Sequence, residues 1–286
     1  MLSGQVGLDE MAELLAAGAD DYLPKPTSTP QLVGRVKAAL ALKDAQDRSD
    51  LLNGNLLAVN AEMEKSLHAG VKDLIESRNA LLLSLAELAE MRTGQPGSSL
   101  LRIQRCCRCL AEEAAGQPVF GGQIDANFVA MVESCAPLHD IGVAALPDYI
   151  LQSTKKYDRE ERLVMQTHTS IGADILQGIA RRHRSAIALL QTAADIARHH
   201  HEAYDGSGYP DRLVGRAIPL SARIVAFADV YDALRSRRPH RPALAHVFAV
   251  ELMTEGLPGR FDPNLLLAFR RCAPQFERII REVPDA

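Results

Sequence analysis

The chain has 286 residues, enough for one large or two smaller buried cores, and its 47% hydrophobic and 24% charged residues exclude a disordered or fibrous chain. Its net charge of −4 gives no electrostatic reason to expect a nucleic acid or an anionic bilayer as partner. Tryptophan is absent and aromatic residues make up only 5%, so Leu and Ala must build the interior, which favours packed helices over a β sandwich.

The N-terminus, MLSGQVGLDE, carries acidic residues early and no apolar core, so a signal peptide is not expected. No apolar run reaches the ~20 residues of a membrane span, and the expected location is cytoplasmic. Residues 1–45 read as helix, short strand, helix: Leu8, Met11, Leu14 and Leu15 form a stripe ended by Gly18, Tyr22 and Leu23 suit a strand, and a helix follows from about Thr29 to Leu42. From Leu51 to Met91 there is no proline. Leu52, Leu56, Val59 and Met63 keep the 4-3-4 spacing of a heptad seam, after which Leu67, Val71 and Ile75 drift to steps of four. This stretch is expected to be a helical linker able to pair two copies of the chain, a helix packed on its own domain being the alternative.

From Ala80 onward every long segment reads helical, near 80–92, 99–115, 123–138, 158–178, 182–198, 220–234, 243–255 and 262–281. Asp158 and Glu161 have capping-box spacing. A loop rich in Gly and Pro fills Glu202 to Leu220. The five cysteines, Cys106, Cys107, Cys109, Cys135 and Cys272, lack a second C-x-x-C pair and are read as reduced thiols rather than zinc ligands.

Chemistry concentrates in histidines and aspartates. Six of the nine histidines fall between residues 139 and 201, among them His139, His168, His200 and His201. Taken singly, His168 reads as a satisfied core histidine, and three consecutive histidines read as a solvated helix end. Asp229 is harder to dismiss, because it follows Ile224-Val225-Ala226-Phe227-Ala228 and a buried carboxylate needs a partner. His139-Asp140, after Ala136-Pro137-Leu138, raises the same question. Imidazoles and carboxylates together in apolar settings favour a first-row transition metal.

LHDIG at 138–142, PDYIL at 147–151, HTSIG at 168–172, HHEAYDGSGYP at 200–210, IPLSARIVAFADVYDAL at 218–234 and RPHR at 238–241 resemble, in order and spacing, the HD-GYP domain over residues 80–282. The resemblance implies a mainly α fold, an HD-domain helical bundle with a C-terminal helical extension. It implies that His139, Asp140, His168, His200, His201 and Asp229 bind two divalent transition metals, iron or manganese, with His139 and Asp140 at the catalytic centre. Two such ions can activate water for in-line displacement at phosphorus. The implied activity is phosphodiester hydrolysis of cyclic di-GMP to pGpG, GMP or both. Gly208, Tyr209 and Pro210 would shape one wall of the substrate site, in some members contacting diguanylate cyclase domains. Arg238 and Arg241 match positions that contact phosphate, a role that suits a planar guanidinium. His199 matches no ligand and His183, among arginines, reads as solvated.

Two departures matter. Val143 stands where the family has a lysine near the substrate phosphate, a loss that typically costs ~10²–10³ in rate. Gln95-Pro96-Gly97-Ser98-Ser99, anchored by Arg102, replaces the segment that in some members holds a third metal, so a dinuclear site at most is expected. These departures motivate the rival reading, a weakly catalytic module that binds nucleotide or a cyclase partner. Hydrolysis of another phosphate ester is a third reading.

Residues 1–45 resemble the C-terminal part of a response-regulator receiver, with Ser3 and Lys25 at its switch positions. The phosphoacceptor half is not in the sequence, so this partial α/β segment is expected neither to complete the receiver nor to take phosphate. The expected organisation is a receiver fragment at 1–45, a linker at 46–79 and the phosphohydrolase domain at 80–286.

Overall fold

The computed structural model describes residues 2–3, 12–13, 15–93, 98–153, 155–183, 186–237 and 242–284. The chain divides into two units, Met1–Leu74 and Ile75–Ala286. In the first, strand β1 (Leu2–Ser3) pairs in parallel with β2 (Leu23–Pro24), Leu2 opposite Leu23. The strand expected at Tyr22–Leu23 is thus shifted by one residue. Leu8, Met11 and Leu14 of the expected stripe lie outside the described residues.

Helix α1 (Thr29–Glu90) crosses the boundary between the units. The separate helices expected at 29–42 and 80–92 are therefore one element with the stretch between them. The physical reason is the lack of any proline from residue 31 to residue 95. Gly54 and Gly70 each cost roughly 1 kcal/mol of helix propensity but break no hydrogen bond. Along the heptad stretch Leu52, Leu56, Val59 and Met63 are all exposed.

The second unit begins with the last turns of α1, where Ala86, Ala89 and Glu90 are buried. Helix α2 (Ser98–Ala115) buries Leu100, Ile103, Cys106, Cys107, Leu110, Ala111 and Ala114, so Cys106 and Cys107 of the CCxC cluster are free core thiols and Cys109 is a free, partly buried one. Helix α3 (Ala126–Cys135) starts at Asp125, whose carboxylate accepts the Phe128 N–H. It ends earlier than the expected residue 138, because Pro137 opens a 3₁₀ segment, Ala136–Ala145. After the short α4 (Asp148–Leu151), α5 (Arg159–Arg182) opens on the capping box that the spacing of Asp158 and Glu161 predicts. Then come α6 (Ile187–His199), α7 (Leu220–Arg235), α8 (His246–Glu251) continued by a π-helical turn to Gly256, and α9 (Pro263–Glu282).

Helix α2 packs on α9, α7 and α3, while α5 packs on α6 and the 3₁₀ segment. Phe227, Tyr231, Phe269 and Phe276 interlock edge to face or tilted at the centre. Two buried ion pairs tie the bundle. Arg102 of α2 meets Asp232 of α7, with Ser99 donating to the same carboxylate, and Arg223 meets Asp262. By length and composition alone, Ala126–Ala145 suffices to cross a membrane, contrary to the expectation that no run does. It consists of α3 and the 3₁₀ segment, is interrupted at Asp140 (φ −103°, ψ 16°), and is mostly buried within the bundle.

Candidate metal centre

The 3₁₀ segment, α5 and the end of α6 converge on one point. The interruption at Asp140 turns His139 and Asp140 towards α5, which delivers His168, and towards the C-terminus of α6, which delivers His200 and His201. Ligand atoms of Asp140, His168, His200 and His201 all lie within 4.8 Å of one another. His168 Nε2 stands 3.2 Å and His200 Nε2 3.3 Å from Asp140 Oδ1, and His139 Nε2 stands 3.5 Å from Oδ2. The rings of His200 and His201 are 4.0 Å apart, and His139 meets His200 edge-on at 5.1 Å.

Backbone carbonyls set the tautomers. Nδ1 of His139 faces the Ala136 carbonyl at 3.1 Å, Nδ1 of His168 faces that of Met165 at 2.6 Å, and Nδ1 of His200 faces those of Ile196 and Ala197. A neutral imidazole that donates through Nδ1 presents a lone pair at Nε2. Yet Asp140 Oδ1, His168 Nε2 and His200 Nε2 are buried and lack a hydrogen-bond partner, although they face each other at close range. Three such atoms turned on one point form a set that a cation between them would satisfy. The donor set, imidazole nitrogens with a carboxylate, fits a first-row transition metal.

Protonation follows from the same crowding. Burial works against the Asp140 anion, but the imidazoles of His139, His168 and His200 outweigh it and hold the carboxyl well below its usual range. Burial also opposes the charged forms of His139 and His168, yet Asp140 and other nearby groups raise both. His200 and His201 are lowered, first by burial.

The remaining expected residues fall as follows. Asp229 is half-buried rather than enclosed, outside the tight group of four but close enough for its charge to raise the His139 pKa. Gly208, Tyr209 and Pro210 line a cavity of about 520 Å³, and the Tyr209 ring lies 4.9 Å from that of His201. A β-carbon on Gly208 would strike the backbone of Glu202 and Ala203, so only glycine allows the loop to pass there. Arg238 and Arg241, like Gln95 to Gly97, lie outside the described residues. Val143 is 2% exposed and offers no charge to the centre. His199 pairs with Asp211 at 3.1 Å and takes no ligand place, as its position at the helix end suggested, and His183 is exposed. Ser99, the last residue of the segment expected to lack a third metal, donates its hydroxyl to Asp232.

Three residues escaped the sequence reading. Glu90, buried at the end of α1, has its carboxyl raised to about 7 by burial, with His139, Asp140 and Asp229 as charged neighbours. Glu202 is buried, and its carboxylate accepts the N–H groups of Asp211 and Leu213. Arg212 lines the cavity with a positive φ of 56°. Only the HHE run at 200–202 gave a signal, for Glu202.

Residues 71–265 match the HD domain family. The chain belongs to that family. This HD domain chain is 39% identical over 82% of its length to a cyclic di-GMP phosphodiesterase of Vibrio cholerae, covering 47% of that protein. It is 36% identical over 95% of its length to the cyclic di-GMP phosphodiesterase response regulator RpfG of Xanthomonas campestris, covering 66% of it. It is 37% identical over 74% of its length to the 3'3'-cGAMP-specific phosphodiesterase 2 of V. cholerae, covering 38% of it. The chain thus spans between about two fifths and two thirds of these relatives.

Proposed function

We propose that this HD domain chain is a cytoplasmic, metal-dependent phosphodiesterase of the HD-GYP type that hydrolyses cyclic di-GMP to pGpG, GMP or both. The observation that carries the reading is the set of three buried, unpartnered acceptors, Asp140 Oδ1, His168 Nε2 and His200 Nε2, directed at one point. His139, Asp140, His168, His200, His201 and Asp229 would hold two divalent ions, iron or manganese. When bound, such ions supply a water acidic enough to act at neutral pH and offset charge on the phosphoryl oxygens.

The chain's own residues supply the rest. Backbone carbonyls fix the imidazoles of His139, His168 and His200 so that this part of the site is ordered before substrate arrives. Asp140, kept ionised by the imidazoles around it, would be the carboxylate at the middle of the set that holds the ions. Gly208-Tyr209-Pro210 forms a wall between the ligands and the open cavity, where a base or ribose can lie against the Tyr209 ring.

Residues 1–45 are proposed as part of a receiver input, and the exposed seam of α1 as the contact that pairs two chains. The buried Val143 favours a second reading, a weakly catalytic module that holds nucleotide or a diguanylate cyclase domain on its GYP face. An anaerobic assay with iron or manganese, products resolved by chromatography, separates the readings. Loss of cyclic di-GMP with appearance of pGpG or GMP supports the phosphodiesterase. Faster loss of 3'3'-cGAMP would reassign the substrate, and tight binding without turnover would favour the module.

A further inference from the structure

The cavity beside the centre has a feature that the six metal ligands do not explain. Among the described residues lining it, Arg212 is the one that carries a charge. Of the hydroxyl groups there, three are already committed as donors, Thr167 to the Val164 carbonyl, Ser170 to the Thr167 carbonyl and Ser207 to Asp205, which leaves the neutral Tyr209 hydroxyl. An anion entering the cavity therefore finds few free side-chain donors apart from the Arg212 guanidinium, which forms no hydrogen bond or ion pair with the described residues.

The backbone adds a second, independent observation. Arg212 sits at φ 56°, in the left-handed region, where a β-carbon is disfavoured. Its neighbours hold it there. The Asp211 and Leu213 N–H groups donate to the two oxygens of the buried Glu202 carboxylate at 2.7 and 3.1 Å. The Asp211 side chain is in turn gripped by Arg198 and His199. Glu202 directly follows His201, so the clamp that imposes the strained conformation is built on the chain segment that supplies two ligands. Strain maintained by surrounding contacts at a cavity wall is the mark of a positioned functional group.

We infer that Arg212 is a substrate-binding residue that grips the phosphodiester of a cyclic dinucleotide not being cleaved. The inference rests on the phosphodiesterase reading for the identity of the ligand. Two diesters on one ring suit this layout, one at the ligand cluster and the other over the loop, where a planar guanidinium can take two phosphate oxygens at once.

The test uses the full, metal-loaded chain and the anisotropy of a fluorescent cyclic di-GMP, with R212G and R212K beside wild type. Glycine removes the cation and relaxes the backbone, so R212G should melt no lower than wild type. It should bind the probe about tenfold more weakly, with a shallower salt dependence, and R212K should recover part of the loss. Binding by R212G within twofold of wild type overturns the inference, as does a wild type that fails to bind the probe. Turnover, measured in parallel, reports separately on the phosphodiesterase reading. Arg212-dependent binding without turnover keeps this inference and removes that reading; turnover with Arg212-independent binding does the reverse.

Discussion

Gly142 and Gly172 meet backbone to backbone. The Gly142 nitrogen lies 3.1 Å from where a Gly172 β-carbon would stand, and a β-carbon on Gly142 would run into the His168 carbonyl and the Gly172 nitrogen. Gly142 is two residues beyond Asp140, and Gly172 four beyond His168. This contact is what brings the 3₁₀ segment and α5 close enough for His168 Nε2 to stand 3.2 Å from Asp140 Oδ1.

Gly142→Ala should therefore force the two segments apart. The expected cost is about 1–3 kcal/mol of stability, with bound metal falling as well. Thermal melting and metal analysis on the same sample check this. An alanine variant that melts and loads like wild type would show the glycine contact to be dispensable.

The Arg102–Asp232 pair makes a prediction about stability alone. Both side chains are almost fully buried, and Arg102 also reaches Ser236 and the Val283 carbonyl. Asp232→Ala strands the guanidinium and should cost about 3–5 kcal/mol in denaturant unfolding. A loss below 1 kcal/mol would mean that water or another group replaces the carboxylate.

Much of this was legible in the sequence, for reasons that differ by residue. The helices of the second unit follow from apolar periodicity, and the start of α5 from a capping box that needs only local spacing. His139 and Asp140 stood out as polar groups after an apolar stretch, whereas His168, His200 and His201 had bland readings singly and only the motif order joined them to the site. The half-exposure of Asp229 was not legible, because the apolar residues before it face the core while its own side chain lies at the edge of the site. Glu90 gave no sign, since its burial depends on how the end of α1 packs in the second unit. Nor could the sequence show the conformation of Arg212, which Glu202 imposes through the residues on either side. The continuity of α1 between the segments expected at 29–42 and 80–92 was missed, because glycines in a proline-free stretch lower helix propensity without ending a helix.

The exposed seam of α1 leads to an association prediction. Leu56 and Met63 are 60% and 68% exposed and lie seven residues apart on one face. Sedimentation should show wild type as a dimer and Leu56→Glu with Met63→Glu as a monomer with an unchanged helical spectrum. A wild type that stays monomeric at high micromolar concentration contradicts pairing through this helix.

The central claim is that Asp140, with its facing imidazoles, exists to hold metal. The most direct measurement is the metal content of protein purified without oxygen, wild type beside Asp140→Ala, with folding checked by circular dichroism. Two iron or manganese ions per wild-type chain, and a folded Asp140→Ala variant that binds none tightly, is the predicted result. A folded variant that retains both ions, or a wild type that binds none, would contradict the account.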